Sequence, residues 1–368
     1  MFKSTDIGSD MNLQSLWIES VNDGNAVAIW RAPHSEQIHF IADKSPSKGR
    51  IDLQQPGFAV SPFLNPEGNE TLFLKADKHS VFDKVEQFDG LVPYHLNSRP
   101  DTEISGEKSH FIKMVEDGVA AINDGEFDKV VPARTLDQPL AADFNVLNQF
   151  YKMADAYPAA FVSLLSIPGI GTWTGATPEL LIESSAEHFR TFSLAGTQPF
   201  VEGSDLSEAA WNQKEIEEQA MVSRYIIEQF KTIRLRKFVE SGPRTVQAGN
   251  MIHLKTEYTV DLNVVNMPEL GSVMLQLLHP TSAVCGMPKF PSLSFIIENE
   301  SLNRELYSGF LGPVNMDGTT QLYVNLRCMQ ILRNRAVLYA GAGVTHGSKT
   351  EKEWDETALK CQTLLDVM

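Results

Sequence analysis

Strand signals in this chain come in runs, with helical periodicity interrupting them irregularly, and that order excludes the strict strand–helix alternation of a parallel α/β fold. The first hundred residues carry short apolar runs, Val27-Ala28-Ile29-Trp30 and Ile38-His39-Phe40-Ile41-Ala42, separated by turn clusters such as Asn65-Pro66-Glu67-Gly68-Asn69. From Phe111 the spacing of Met114, Val115, Val119 and Ile122 predicts a helix that stops at Asn123-Asp124-Gly125. A strand over 129–136 follows, placing Lys129, Val131 and Ala133 on one face and Val130 and Arg134 on the other. Its Pro132 marks it as an edge or bulged strand.

Further along, Phe144, Leu147, Phe150, Tyr151 and Ala154 predict a helix. Strands are expected over 161–167, 171–183 and 189–194, the last ending at Ala195-Gly196-Thr197. The longest helix is expected from Leu206 to Arg236, with Ile216, Met221, Tyr225, Ile226, Phe230 and Ile233 as its apolar stripe. Others are expected near Ser294 to Arg304 and from Thr350 to Val367. The fold class is therefore α+β. With no repeat and no flexible linker, the expectation is one domain over 1–368, strand-rich over 1–105 and bearing the chemistry over 106–368.

Forty-seven acidic residues against 31 Lys and Arg give a net charge of −16, which repels polyanions and speaks against a nucleic-acid partner. An anionic small substrate would need local cations or a metal ion. Cys285, Cys328 and Cys361 lack CxxC spacing, so reduced thiols are expected rather than disulfides. The N-terminal stretch lacks an apolar signal region and no run approaches 18 apolar residues, so the expectation is a cytoplasmic protein with no membrane contact.

Several motifs fail on inspection. Gly341-Ala342-Gly343-Val344-Thr345-His346-Gly347 imitates a dinucleotide fingerprint with its third Gly one residue late, and Gly347-Ser348-Lys349-Thr350 lacks the Gly a P-loop has before Lys. HExxH, GxSxG and paired Cys/His spacings are absent from the sequence. Two acidic pairs survive: Glu215 with Glu218, and Glu353 with Glu356, each spaced i, i+3 on one helix face. Two facing E-x-x-E helices would suit a hard cation such as Mg²⁺, although helix glutamates are usually solvated. Thr350-Glu351-Lys352-Glu353 also reads as a capping box. Lys129 shares a strand face with apolar residues, and burial is what turns a lysine from a cation into a base; an exposed strand end is the plainer reading. Glu179, inside the apolar run Gly175 to Ile182, is placed to keep its proton and act as an acid.

Taken together, FDKVVPAR (127–134), GATPELLI (175–182), SLAGT (193–197), KEIEEQAMV (214–222), HLKT (253–256), LHPTSAVCGMPK (278–289), ELYSGFLG (305–312), LRC (326–328), AGAGV (340–344) and EWDETALK (353–360) resemble the chorismate-utilising enzymes, and among them the isochorismate synthases. The resemblance covers about two thirds of the chain, from Phe111 to Leu365; the N-terminal hundred residues match only in strand-rich character. It implies the anthranilate synthase-like fold, two large antiparallel sheets packed as a sandwich with helices outside. By the same resemblance Lys129 is the base that activates water at C2 of chorismate, and Glu179 the acid that protonates the departing C4 hydroxyl. Glu218 and Glu356 match the principal Mg²⁺ ligands, with Glu215 and Glu353 assisting. Gly196, Thr197, His253, Ala283, Tyr307, Arg327, Gly341, Gly343 and Lys360 match positions that grip or line the substrate. Gln219 stands where many relatives have His, and the loop near 198–206 is short.

Anthranilate synthases carry Gln where this chain has Lys129, and aminodeoxychorismate synthases carry a nucleophilic lysine where it has Ala195. Salicylate synthases share base and acid but usually have Thr where Ala283 stands. The expectation is an isochorismate synthase, with salicylate synthase as runner-up; a non-catalytic chorismate-binding relative would have lost part of the Lys129, Glu179, Glu218, Glu356 set. Water as nucleophile implies that no glutaminase subunit is needed, and a monomer is expected. Menaquinone and siderophore synthesis are both open as the destination of the product.

Overall fold

The computed structural model describes residues 12–83, 88–97, 108–200, 203, 205–248 and 251–368. Two antiparallel sheets dominate these residues. In the first, eight strands lie in the order His79–Phe82, Ile38–Asp43, Ala26–Arg31, Phe161–Ile167, Gly171–Thr177, Cys328–Ile331, Arg335–Gly341 and Ala133–Pro139. In the second, nine strands run Val239–Ala248, Met251–Asp261, His188–Pro199, Leu180–Ser185, Thr319–Val324, Phe310–Val314, Gly57–Ser61, Leu72–Lys75 and Ser47–Lys48. A two-stranded ribbon pairs Lys129–Val130 with Gly286–Met287. N-terminal strands thus sit in the same sheets as the strands bearing the later motifs.

Period-two alternation sorts each strand between two cores. On Ala26–Arg31, the side chains of Ala26, Ala28 and Trp30 enter the layer between the sheets, while Val27 and Ile29 face the helices outside. The inter-sheet layer is aromatic: Phe161 stacks on Tyr323 with ring centroids 4.2 Å apart, and Trp173 on Tyr339 at 5.2 Å. Outside the first sheet pack the helices Leu13–Asn22, Val146–Ala156 and Thr350–Leu365; outside the second pack Gln213–Thr232 and Leu270–Leu278. A further core joins the helices Lys108–Asn123 and Lys289–Asn299 to the ribbon through Phe111, Phe127, Val130 and Ile296. The expected α+β sandwich with helices outside is what the chain forms.

Several boundaries differ from expectation. Pro132 divides the 129–136 strand into Lys129–Val130 and Ala133–Pro139, which pair with different partners. The 171–183 strand breaks at Pro178-Glu179, and the strand expected to end at Ala195 continues to Pro199 through a register shift between Ala195 and Gln198. The long helix occupies only Gln213–Thr232, because Asn212 caps it with Glu215 in a reciprocal capping box. Ile216, assigned to its apolar stripe, is instead 46% exposed. The helix expected at 294–304 is Lys289–Asn299, and a helix Leu13–Asn22, whose apolar residues lie in a mostly polar stretch, is added to those expected. Of the short loop near 198–206, residues 201, 202 and 204 lie outside the described residues.

Candidate active site

The sequence-selected residues converge where the chain crosses from one sheet to the other. Glu179 lies at the corner between Gly171–Thr177 of the first sheet and Leu180–Ser185 of the second. Arg327 lies at the reverse crossing, between Thr319–Val324 and Cys328–Ile331. The corners are tied together: the Ala176 N–H donates to Arg327 O at 3.0 Å and the Val324 N–H to Glu179 O at 2.9 Å. Gly175 is required at this approach, since a Cβ there would fall 2.8 Å from Arg327 O. Arg327 itself takes a left-handed backbone, φ 47°.

Lys129 is fully buried, where the plainer sequence reading is an exposed strand end, and its Nζ donates to Glu218 Oε1 at 2.9 Å. Burial by itself would raise the Glu218 carboxyl, but Lys129, Lys360 and Lys214 overcome that and hold it below the usual range. Gly343 is packed against this pair, for a Cβ on it would stand 2.5 Å from Glu218 Oε1 and 3.1 Å from the Lys129 Cε. Glu179 is buried as well. Loss of water pushes its carboxyl up to about 7, against the opposing pull of Arg327, Lys129 and Lys360. A carboxyl raised to about 7 and a fully buried lysine therefore belong to one cluster.

On the next strands, His253 Nδ1 lies 2.9 Å from Gly196 O and 3.3 Å from Thr197 Oγ1. A ring nitrogen against a carbonyl must carry the hydrogen, so Nε2 is left as an acceptor. Burial and the Arg327 guanidinium push the imidazole down to about 3, so it is neutral near pH 7. Gly196 adopts φ 71° in the irregular stretch of its strand. Tyr307 is buried, with its hydroxyl pushed up to about 12 by loss of water, and it sits against Gly341, where a Cβ would come within 3.0 Å of that oxygen. Lys360 donates to Gly341 O at 2.9 Å and pairs with Glu356 at 2.6 Å. Ala283 lies in the loop two residues before Cys285, whose carbonyl accepts from the Val131 N–H at 2.9 Å.

The four glutamates do not behave alike. Glu218, Glu353 and Glu356 belong to one cluster, because all three act on Lys214, whose ammonium pairs with Glu353 Oε1 at 2.5 Å. Glu215 is turned aside, its Oε2 accepting from the Asn212 N–H and from Gln198 Nε2, both at 2.8 Å. The capping box expected at Thr350 is absent: Lys349 is the cap residue, without a side-chain cap bond, and Glu353 is 1% exposed beside Lys214. Among the described residues no group of three or more His, Cys, Asp or Glu is arranged as a metal site. The donor set nevertheless fits a hard cation, being all carboxylate oxygen, and among the described residues the buried Glu353 Oε2 meets no donor at hydrogen-bond geometry, although Ser348 acts on the carboxyl.

Two further contributors support the site: Gln219, marked in the sequence only as a departure from the resemblance, and Arg304, which the sequence did not mark. Gln219 is buried and donates to Ser193 Oγ at 2.9 Å and Thr256 Oγ1 at 2.8 Å, pinning the first turns of the Glu218 helix to the strands that carry Gly196 and His253. Arg304 forms a buried ion pair with Glu300 and donates to Val131 O and Val284 O, while Glu300 accepts from the Ala133 N–H; together they brace the Lys129 segment from behind. A cavity of about 690 Å³ between Phe63, Ile296 and Arg304 lies on that far side and is lined by none of the candidate site residues.

The chorismate binding enzyme family matches residues 73–368. The chain belongs to this family. Chorismate-binding enzymes need a metal ion, and chorismate is the substrate the family implies. Among relatives, the chain is 29% identical over 268 residues to the isochorismate synthase EntC of Escherichia coli (strain K12), covering 71% of this chain and 67% of that protein. It is 29% identical over 355 residues to the salicylate biosynthesis isochorismate synthase of Pseudomonas aeruginosa, covering 92% and 72%. The fold is shared with MenF, the menaquinone-specific isochorismate synthase from Escherichia coli, at a TM-score of 0.78 and 19% identity over 97% of this chain and 91% of that one. Among the described residues of this chorismate-binding enzyme, no helix is long and apolar enough to cross a membrane.

Proposed function

We propose that this chorismate-binding enzyme is an isochorismate synthase, moving a hydroxyl from C4 to C2 of chorismate through addition of water and loss of the original hydroxyl. The observation that carries the reading is that a fully buried lysine, Lys129, and a buried carboxyl pushed up to about 7, Glu179, belong to one cluster.

Lys129 Nζ takes a proton from the attacking water, and Glu218 Oε1, 2.9 Å away, accepts a hydrogen bond from the resulting ammonium. Glu179 delivers its proton to the departing C4 oxygen; its buried corner keeps that proton in place until the substrate needs it. Arg327, Lys360 and Tyr307 bind the carboxylates of the dianion, and His253 steadies the Gly196-Thr197 backbone beside them. Glu218, Glu353 and Glu356 would hold Mg²⁺, with Glu215 a lesser contributor because its Oε2 caps a helix. A bound Mg²⁺ supplies charge for the ring carboxylate that a protein of net charge −16 would otherwise repel. Gly341 and Gly343 leave room on the floor of the site, and Ala283 lines it near the ribbon. The chain acts as one domain over 1–368 and as a monomer in the cytoplasm, and it needs no glutaminase subunit, since water and not ammonia is the nucleophile.

The test is the product of a long incubation with chorismate and Mg²⁺, separated by chromatography. The expected result is an equilibrium mixture of chorismate and isochorismate, reached from either compound, with no anthranilate when ammonium is added. Salicylate and pyruvate as main products would make the chain a salicylate synthase, in which the enolpyruvyl group is eliminated despite Ala283 offering no hydroxyl to bend it. No consumption of chorismate would leave a binding protein.

A further inference from the structure

Lys214 has no place in the acid–base chemistry, yet its position is specific. It lies in the first turn of the helix Gln213–Thr232, and its ammonium crosses to the facing helix Thr350–Leu365 to meet Glu353 Oε1 at 2.5 Å. Glu218 and Glu356 act on the same ammonium. The two partners are unequal in freedom. Glu353 is 1% exposed, with its second oxygen, Oε2, also buried and Ser348 acting on its carboxyl, whereas the Lys214 side chain keeps 34% of its surface in water. A buried carboxylate without a cation is costly, and the lysine removes that cost from the open side of the cluster.

We infer that Lys214 is a tethered counter-cation: it holds the Glu218, Glu353 and Glu356 cluster while no metal is bound, and competes with the metal for Glu353. The inference rests on the metal reading given under Proposed function. Two cations cannot share the same few oxygens without repulsion of several kT at such separations, so a divalent ion and the ammonium exclude each other. The more strongly charged ion keeps the oxygens. Lys214, on a flexible four-carbon stem at the edge of the cluster, is the one able to swing into water. Lys129, fully buried beside Glu218, has no such exit.

The test uses the full chain without substrate. Calorimetric titration of Mg²⁺ should give a dissociation constant roughly tenfold lower for Lys214→Met than for wild type, the gain expected from removing one competing charge a few ångströms away. In chelator the same variant should unfold at lower temperature than wild type, and Mg²⁺ should raise its midpoint by more. Because Lys214→Met leaves Glu353 unpaired and could fail to fold, the wild type carries a second readout. Acetylation of its lysines, followed by peptide mass spectrometry, should show Lys214 modified several-fold faster once Mg²⁺ is added. Wild-type binding with an unchanged or weaker constant in Lys214→Met, or equal acetylation of Lys214 with and without Mg²⁺ in protein that binds it, would overturn the competitor role and leave the metal reading standing. No binding of Mg²⁺ to wild type would overturn both.

Discussion

Lys129 Nζ and Glu218 Oε1 stand 2.9 Å apart across 89 residues of sequence, and this single contact joins the ribbon strand to the first turns of the helix Gln213–Thr232. Gly343 closes over the contact from the end of a third strand segment. The proposed base is thereby held by the same carboxylate that belongs to the proposed metal cluster, so disturbing either side should be felt by the other.

Lys129→Ala and Glu179→Gln should each lower turnover by roughly 10² to 10⁴, the range for one proton-transfer group. Steady-state assays of isochorismate formation check this, with circular dichroism to confirm the fold. Near wild-type rates in either variant would remove that residue from the mechanism.

The pH dependence follows from Glu179. Its carboxyl is raised to about 7, so kcat/KM should fall as pH rises through about 7 and the acid loses its proton. The same shift acts on stability. Between the unfolded carboxyl range, about 4.3, and 7 the folded state binds the proton that the unfolded state has released, so the contribution of Glu179 to stability is present at low pH and is lost as pH rises through about 7. Glu179→Gln should therefore unfold at a higher temperature than wild type at pH 8 and show little difference at pH 4.5. An equal midpoint difference at both pH values would contradict this assignment.

Chelation should abolish turnover, and added Mg²⁺ should restore it. Glu356→Gln should raise the Mg²⁺ needed for half-maximal rate at least tenfold while the unfolding midpoint stays within a few degrees, since its part-exposed side chain meets the Lys360 ammonium through Oε1, at 2.6 Å. Full activity in excess chelator sinks the metal reading.

Gly343→Ala adds one methyl where Glu218 Oε1 and Lys129 Cε would stand at 2.5 and 3.1 Å. Both are ends of flexible chains, so the fold should survive, but the pair must separate. Turnover should drop on the order of 10²-fold, the usual cost of misplacing a reacting group by about 1 Å. Unchanged kcat would show that the pair tolerates opening.

Arg304→Met strands Glu300 in the core and removes donors to Val131 and Val284. Stability should fall by about 3–5 kcal/mol in urea unfolding. Arg304→Met combined with Glu300→Gln should lose less than the single variant, because no buried charge is left alone. A larger loss in the double variant would mean that the backbone bonds, not the charge pair, carry the effect.

Period-two and period-3.6 patterning along the chain was enough to place most strands and helices and to give the α+β class, because those signals are local and each strand had only to choose which face to bury; the two-sheet sandwich was what the family resemblance implied. The motif string likewise singled out Lys129, Glu179, Glu218 and Glu356. Helix ends were less legible: Asn212, not Leu206, starts the long helix, since a cap depends on one side chain reaching one backbone N–H. What only the tertiary structure decided were the partnerships. Glu353 read as a capping residue or metal helper, and became a buried partner of Lys214, 139 residues away, because the two helices face each other. The Arg304–Glu300 brace was invisible, and the partners of Gln219 were not legible, for the same reason: a charge or amide shows in sequence only as a residue type, whereas burial and the crossing of two sheets determine which distant group it must satisfy.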